Sequence, residues 1–211
     1  ARNLVMNGEA AVCDYELSFH GVTAEDPAKG LQDGLLGLTR ETGEGLNSII
    51  NEGVKRGFSI GECLGRGILE RQPKHFTSSL MATGAARLTS VTVHLSVGAD
   101  GFQRYPGADG AMLGKGSLKD TQILSSQMSS FPSGAILVTL HRDTALTQVF
   151  LNGVAMARNL NSDFHGFSLI QLGEAHPALK DIPTPEKPLL LPGPIEIMMP
   201  LLMGALFTLV E

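Results

Sequence analysis

The chain has 211 residues, of which 43% are hydrophobic and 18% charged, and its formal net charge is −5. That balance describes a folded, well-buried chain rather than a disordered one. No run of Lys or Arg exceeds the pair Lys55-Arg56, so the clustered positive charge that nucleic acid or anionic lipid requires is missing, and neither is expected as a direct partner.

In chain order, the N-terminus reads as a β-hairpin. Asn7-Gly8 is the preferred dipeptide of a type I′ turn. After it, Cys13, Tyr15, Leu17 and Phe19 alternate with Asp14, Glu16, Ser18 and His20, the pattern of a strand with one wet face. Asp26-Pro27 then opens a helical block that runs to about Gln72, with Asp as N-cap and Pro at the first helical position. Within it, Gly53, Gly57, Gly61 and Gly65 recur every fourth residue, on nearly one face of a helix. Each Gly costs about 1 kcal/mol against Ala in a helix interior, so these four are expected to serve helix packing or an interface. Leu88 to Val97 reads as a strand, the Gly-rich residues 98–119 as a long loop, and Gly134 to His141 as another strand. Gln148 to Met156 contains a second Asn-Gly hairpin turn at Asn152-Gly153, and Phe167 to Leu172 is a shorter strand. Six prolines between Pro177 and Pro194 mark an extended connection. Ile197 to Val210 is apolar and too short for the roughly 20 residues that cross a bilayer. It reads as one or two buried strands, or as an interface segment.

The motifs that carry chemistry fail one by one. Gly114-Lys115 lacks the Gly five positions earlier and the Ser or Thr after the Lys that a phosphate loop needs; Asp109 and Gly116 stand there. His141-Arg142-Asp143 copies a kinase tripeptide, but the Asn expected five residues on is Gln148, and Asp163-Phe164-His165-Gly166 is not the metal-binding Asp-Phe-Gly. No histidine pair has zinc-ligand spacing, and Cys13 and Cys63 are too few and too far apart for a CxxC site. Two reduced thiols fit better than one disulfide. Cys63 sits in mid-helix, where a nucleophile gains little. One arrangement stays open for catalysis: His20 and His94 on the wet faces of two strands, with Asp14 or Glu16 as acidic partners.

The expected fold is α+β: a mainly antiparallel β-sheet with a Gly-rich helical insert at about residues 27–72, in a single domain over 1–211. The expected function is a non-enzymatic, self-associating structural protein, a homo-oligomer such as a coat, shell or tube component, a capsid or virion protein among them. The alternatives are an enzyme built on the sheet face from His, Asp and Glu residues, and a binder of an apolar ligand or lipid with Ile197–Val210 lining a cavity. No cofactor and no metal are expected, and a small-molecule ligand is left unidentified. Without a secretory or spanning segment in view, the expected setting is intracellular or an assembled particle.

Overall fold

A computed structural model describes residues 1–23, 26–140, 143–160, 166–179, 182 and 184–210. They fall into two compact units, Ala1–Leu124 and Ser125–Glu211.

In the first unit, β1 (Asn3–Asn7) runs directly into α1 (Gly8–His20). Asn7 makes no hairpin turn. It is the N-cap of α1, and its side chain accepts from the Ala10 N–H at 2.8 Å. β1 pairs in parallel with β2 (Ser90–His94), from Asn3 opposite Ser90 to Asn7 opposite His94. Parallel neighbours need a long crossover, and it consists of α1, α2 (Pro27–Asp33), α3 (Arg40–Lys55), α4 (Ile60–Arg71) and α5 (Leu80–Ala86). Leu46, Ile50 and Val54 of α3 meet Ile60, Leu64 and Ile68 of α4, Met81 of α5 and Val93 of β2 in a fully buried core. The buried positions of α1 include Ala11, Asp14, Tyr15 and Ser18, a helical spacing of three and four.

α3 and α4 are separate helices, so the four glycines do not share one. Gly53 belongs to α3, where an added Cβ would lie 2.3 Å from the Cys63 sulfur. Gly57 is in the turn, at φ +89°, with nothing within 4 Å of an added Cβ. Its left-handed backbone is what requires glycine there. Ser59 then caps α4 in a capping box with Glu62, which satisfies two otherwise orphaned amides. Gly61 meets β2: its Cβ would stand 2.1 Å from the Val91 carbonyl oxygen. Gly65 faces the Met81 carbonyl oxygen of α5 at 2.8 Å.

The presumed loop at 98–119 is mostly ordered helix. Residues Gly101–Arg104 form a short 3-10 turn, and α6 (Gly110–Ser129) begins in the first unit and ends in the second. Asp109 caps its start, accepting from the Ala111 and Met112 amides.

The second unit holds a three-stranded parallel sheet in the order β3 (Ile136–Thr139), β4 (Ser168–Leu172), β5 (Leu189–Leu191). The crossover from β3 to β4 is α7 (Thr144–Leu160), capped by Asp143, which accepts from the Leu146 N–H at 2.5 Å. Asn152-Gly153 is interior to α7, not a hairpin turn; an added Cβ at Gly153 would lie 2.6 Å from the Met128 sulfur. Phe167 is buried between Phe131 and Phe150, edge to face at 6.1 and 5.5 Å. Ile195–Val210 is a helix, α8, which corrects the strand reading of that segment.

The expected fold class is therefore corrected. Among the described residues the chain is predominantly helical, with two small sheets that are entirely parallel, in place of a mainly antiparallel sheet with an insert at 27–72. Strand ends that cap helices, as at Asn7, carry each strand into a crossover instead of a hairpin. The expected capsid or virion component is corrected with it, because a mostly helical chain with small parallel sheets does not fit that description.

Candidate functional site

The candidate catalytic residues His20, His94, Asp14 and Glu16 all lie in the first unit, and the structure separates them. His20 ends α1 and is exposed, whereas His94 stands opposite Asn7 at the helix's other end. A helix of this length puts about 18 Å between them at 1.5 Å per residue. Asp14 is buried and points to α5: it accepts from the Ser79 hydroxyl at 2.5 Å, the Leu80 N–H at 2.7 Å and the Met81 N–H at 3.3 Å. Glu16, also buried, accepts from the Thr42 hydroxyl at 2.9 Å. These two carboxylates tie α1 to α5 and to α3. Among the described residues, no group of three His, Cys, Asp or Glu side chains is placed to hold a metal ion. His141, Arg142, Asp163, Phe164 and His165 lie outside the described residues, and the kinase-like tripeptides with them.

Buried titratable groups carry shifted pKa values, His94, Asp120 and Cys63 among them. Burial pulls the His94 imidazole down to about 4. Its Nε2 lies 3.2 Å from the Thr92 hydroxyl, and Nδ1 has no partner. Burial also pushes the Asp120 carboxyl up to about 7, against the pull of the Ser59 hydroxyl and the Gly61, Ile60 and Val93 amides. Oδ2 of Asp120 accepts from the Gly61 N–H at 3.2 Å, while Oδ1 meets no donor in good geometry. This side chain joins α6 to the start of α4, and no solvent reaches it. Both cysteines are free. Burial raises the Cys63 thiol to about 12, so it stays protonated and unreactive at neutral pH.

A groove of about 340 Å³ lies between α6 and the Gly57 turn, lined by Phe58, Lys115, Leu118, Lys119 and Gln122. Lys119 is engaged there: it donates to the Gly57 carbonyl and pairs with Glu62 at 3.7 Å. Arg56 and Arg66 stack against the Phe58 ring, 4.9 and 4.7 Å from its centre. Leu118 on its rim is 67% exposed. A small-molecule site encloses most of its ligand, and this groove is too open for that.

The second unit shows a different kind of surface. In a strand, alternate residues point to opposite faces. The register sets Ile136 beside Ser168, Val138 beside Ile170, and Ile170 beside Leu189. One face of the sheet therefore carries Ile136, Val138, Ile170 and Leu189. On it, Ile136 is 64% exposed and Leu189 52%. The other face carries Leu169 and Gln171, both buried. The exposure lies at the edge strands β3 and β5: on that same face Ile170 of the central strand is half-buried and Leu172 buried, and on the other face Leu190 is exposed.

α8 adds to the exposed apolar surface. It carries one charge, Glu196 in its first turn, and Pro200 inside it. The stripe Ile195, Met198, Met199 and Leu202 is half-buried, and from Met203 to Leu209 every residue is exposed, Phe207 to 67% and Leu209 to 81%. A helix apolar on all sides is normally buried, and a continuous apolar patch on a surface marks a contact. α8 thus lies on the surface of its unit rather than around a cavity. No helix among the described residues is long and apolar enough to cross a membrane.

No protein-family model, curated protein or solved structure matches the chain.

The apolarity of 197–210 was visible in sequence. The exposure of Ile136, Val138 and Leu189 on the edge strands was not, because alternation in a strand gives two faces without saying which positions the fold covers.

Proposed function

We infer that the chain acts by self-association, as a non-enzymatic protein whose second unit supplies the contact. The observation that carries this reading is α8, a helix of 16 residues that is apolar on every side and exposed along its second half. Leaving such a surface in water is unfavourable by roughly 25 cal/mol per Å², and covering it drives association. The separated histidines and the inward-tied Asp14 and Glu16 support a structural role for the first unit's polar residues. The absence of a polar face on α8 favours a protein contact over a lipid surface, since interfacial helices carry a charged face.

The variant Leu206→Glu with Phe207→Glu tests this reading. Buried apolar anchors contribute about 1–2 kcal/mol each to an interface, so the pair is expected to weaken self-association about 100-fold. Light scattering should show a monomer at concentrations where the parent chain is associated, with an unchanged circular-dichroism spectrum. An unchanged assembly mass in the double variant would assign the contact elsewhere.

A further inference from the structure

We propose that the open groove beside Phe58 is a docking site for an acidic peptide segment of a partner protein, one that sets an apolar side chain between carboxylates. The site lies wholly in the first unit, so it stands apart from the contact assigned to α8.

The cations of this surface come from three helices. Arg56 caps the end of α3, Arg66 lies on α4, and Lys115 and Lys119 are one turn apart on α6. They are scattered along the sequence, so no basic run announces them, and the fold gathers them around Phe58. The Phe58 ring lines the groove against α6, and it also lines a smaller pocket between α3 and α4 with Arg56 and Arg66.

This positive charge is only partly answered. Lys119 pairs with Glu62, and Glu52 pairs with Arg71. Arg56, Arg66 and Lys115 have no ion-pair partner among the described residues. Glu70 also lines the smaller pocket and pairs with none of them. The patch is therefore positive on a chain whose formal net charge is −5. Two guanidinium groups held against one ring repel each other, and an anion beside them relieves that repulsion. Arginine takes a carboxylate in a bidentate pair.

The groove is also partly apolar. Leu118 on its rim is exposed, and Phe58 is half-buried. A bare inorganic anion would leave both in water. A peptide covers them with an apolar side chain and meets the cations with its carboxylates. Lys115, Leu118, Lys119 and Gln122 follow at the three- and four-residue spacing of one helix face. That face is about 10 Å long at 1.5 Å per residue, which about three residues of an extended peptide cover. Gln122 is exposed there, and its amide can both donate to and accept from a peptide backbone. The openness that excludes an enclosed small molecule suits a chain lying across the groove. A nucleic-acid backbone fits less well. It needs a row of cations along its length, and here Glu52, Glu62 and Glu70 stand among them.

Fluorescence anisotropy with a labelled peptide, Asp-Asp-Glu-Leu-Glu-Asp-Asp, tests the site beside a counterpart in which Asn and Gln replace the acids. The acidic peptide should bind with a Kd on the order of 10 μM. Its affinity should fall roughly tenfold between about 0.05 M and 0.5 M salt. The amide counterpart should bind at least roughly tenfold more weakly. Arg56→Gln with Arg66→Gln should cost about tenfold, and Lys115→Gln or Leu118→Gln about threefold each. Lys29→Gln on α2 removes another exposed charge and should leave binding unchanged. Should the arginine pair disturb the turn at Phe58, Lys115→Glu on the exposed side of α6 reads the same site, again with a loss of about tenfold. No binding of the acidic peptide at millimolar concentration, equal binding of the amide counterpart, or equal losses in Lys29→Gln and Lys115→Gln would overturn the proposal. Poly(U) RNA bound more tightly than the peptide would assign the cations to nucleic acid and overturn it as well.

Discussion

Gly61→Ala lowers the melting temperature by roughly 10 °C, whereas Gly114→Ala, also a glycine-to-alanine change inside a helix, raises it by a few degrees. At Gly61 an added Cβ would stand 2.1 Å from the Val91 carbonyl oxygen and 2.6 Å from its carbon. Both are backbone atoms of β2, so no side chain can swing away. The start of α4 must lift off the strand, and the bond from the Gly61 N–H to Asp120 goes with it. Overpacking of this kind costs about 3 kcal/mol or more. Gly114 is exposed on α6 with nothing within 4 Å of an added Cβ. There alanine gains its helix propensity, about 1 kcal/mol. Thermal melts of the two variants check the pair. Equal shifts would mean that α4 does not rest on β2.

The second large effect is on pH. Asp120→Asn and His94→Gln should tilt the stability curve in opposite directions between about pH 4 and pH 7. Asp120 keeps its proton in the fold up to about 7, and its ordinary value is 3.8. Over that window the folded chain holds a proton that the unfolded chain has lost. The contribution is therefore fully present below 3.8 and disappears as pH rises through 7. Three pKa units correspond to at most about 4 kcal/mol. His94 runs the other way. Its folded value is about 4 against an ordinary 6.5, so its contribution is present above 6.5 and is lost as pH falls through 4, at most about 3 kcal/mol. Asp120→Asn leaves His94 alone, and stability should climb from pH 4 to 6.5. His94→Gln leaves Asp120 alone, and stability should fall from pH 4 to 7. Urea titrations across this range measure both; parallel curves for the two variants would contradict the buried state of these groups.

Part of this fold was legible in the sequence, and the physical reason for the rest is specific. β2, β3 and β4 fall inside the stretches read as strands at 88–97, 134–141 and 167–172, because β-branched alternation there is not disturbed by any competing signal. The N-terminus departs from the strand its alternation predicts, because the polar positions there are not the wet ones. In α1 the residues counted as wet, Asp14, Glu16 and Ser18, are buried. Their partners Ser79 and Thr42 stand far along the chain, and the Ser18 hydroxyl donates to the Tyr15 carbonyl at 2.6 Å. Nothing local announces such burial. Asn-Gly misled twice, since Asn serves as a helix N-cap as readily as a turn residue, and Gly153 admits the Met128 sulfur. Parallel pairing was invisible because it depends on contacts between β1 and β2, which five helices separate. Of the candidate interaction surface, α8 could be read from its apolarity, and the exposed positions of the edge strands could not.

Sedimentation of the parent chain over a concentration series, from low to high micromolar, tests the central claim most directly. Self-association through the second unit predicts a mass that rises above that of one chain as the concentration increases. A mass that stays at one chain up to the highest concentration would contradict it.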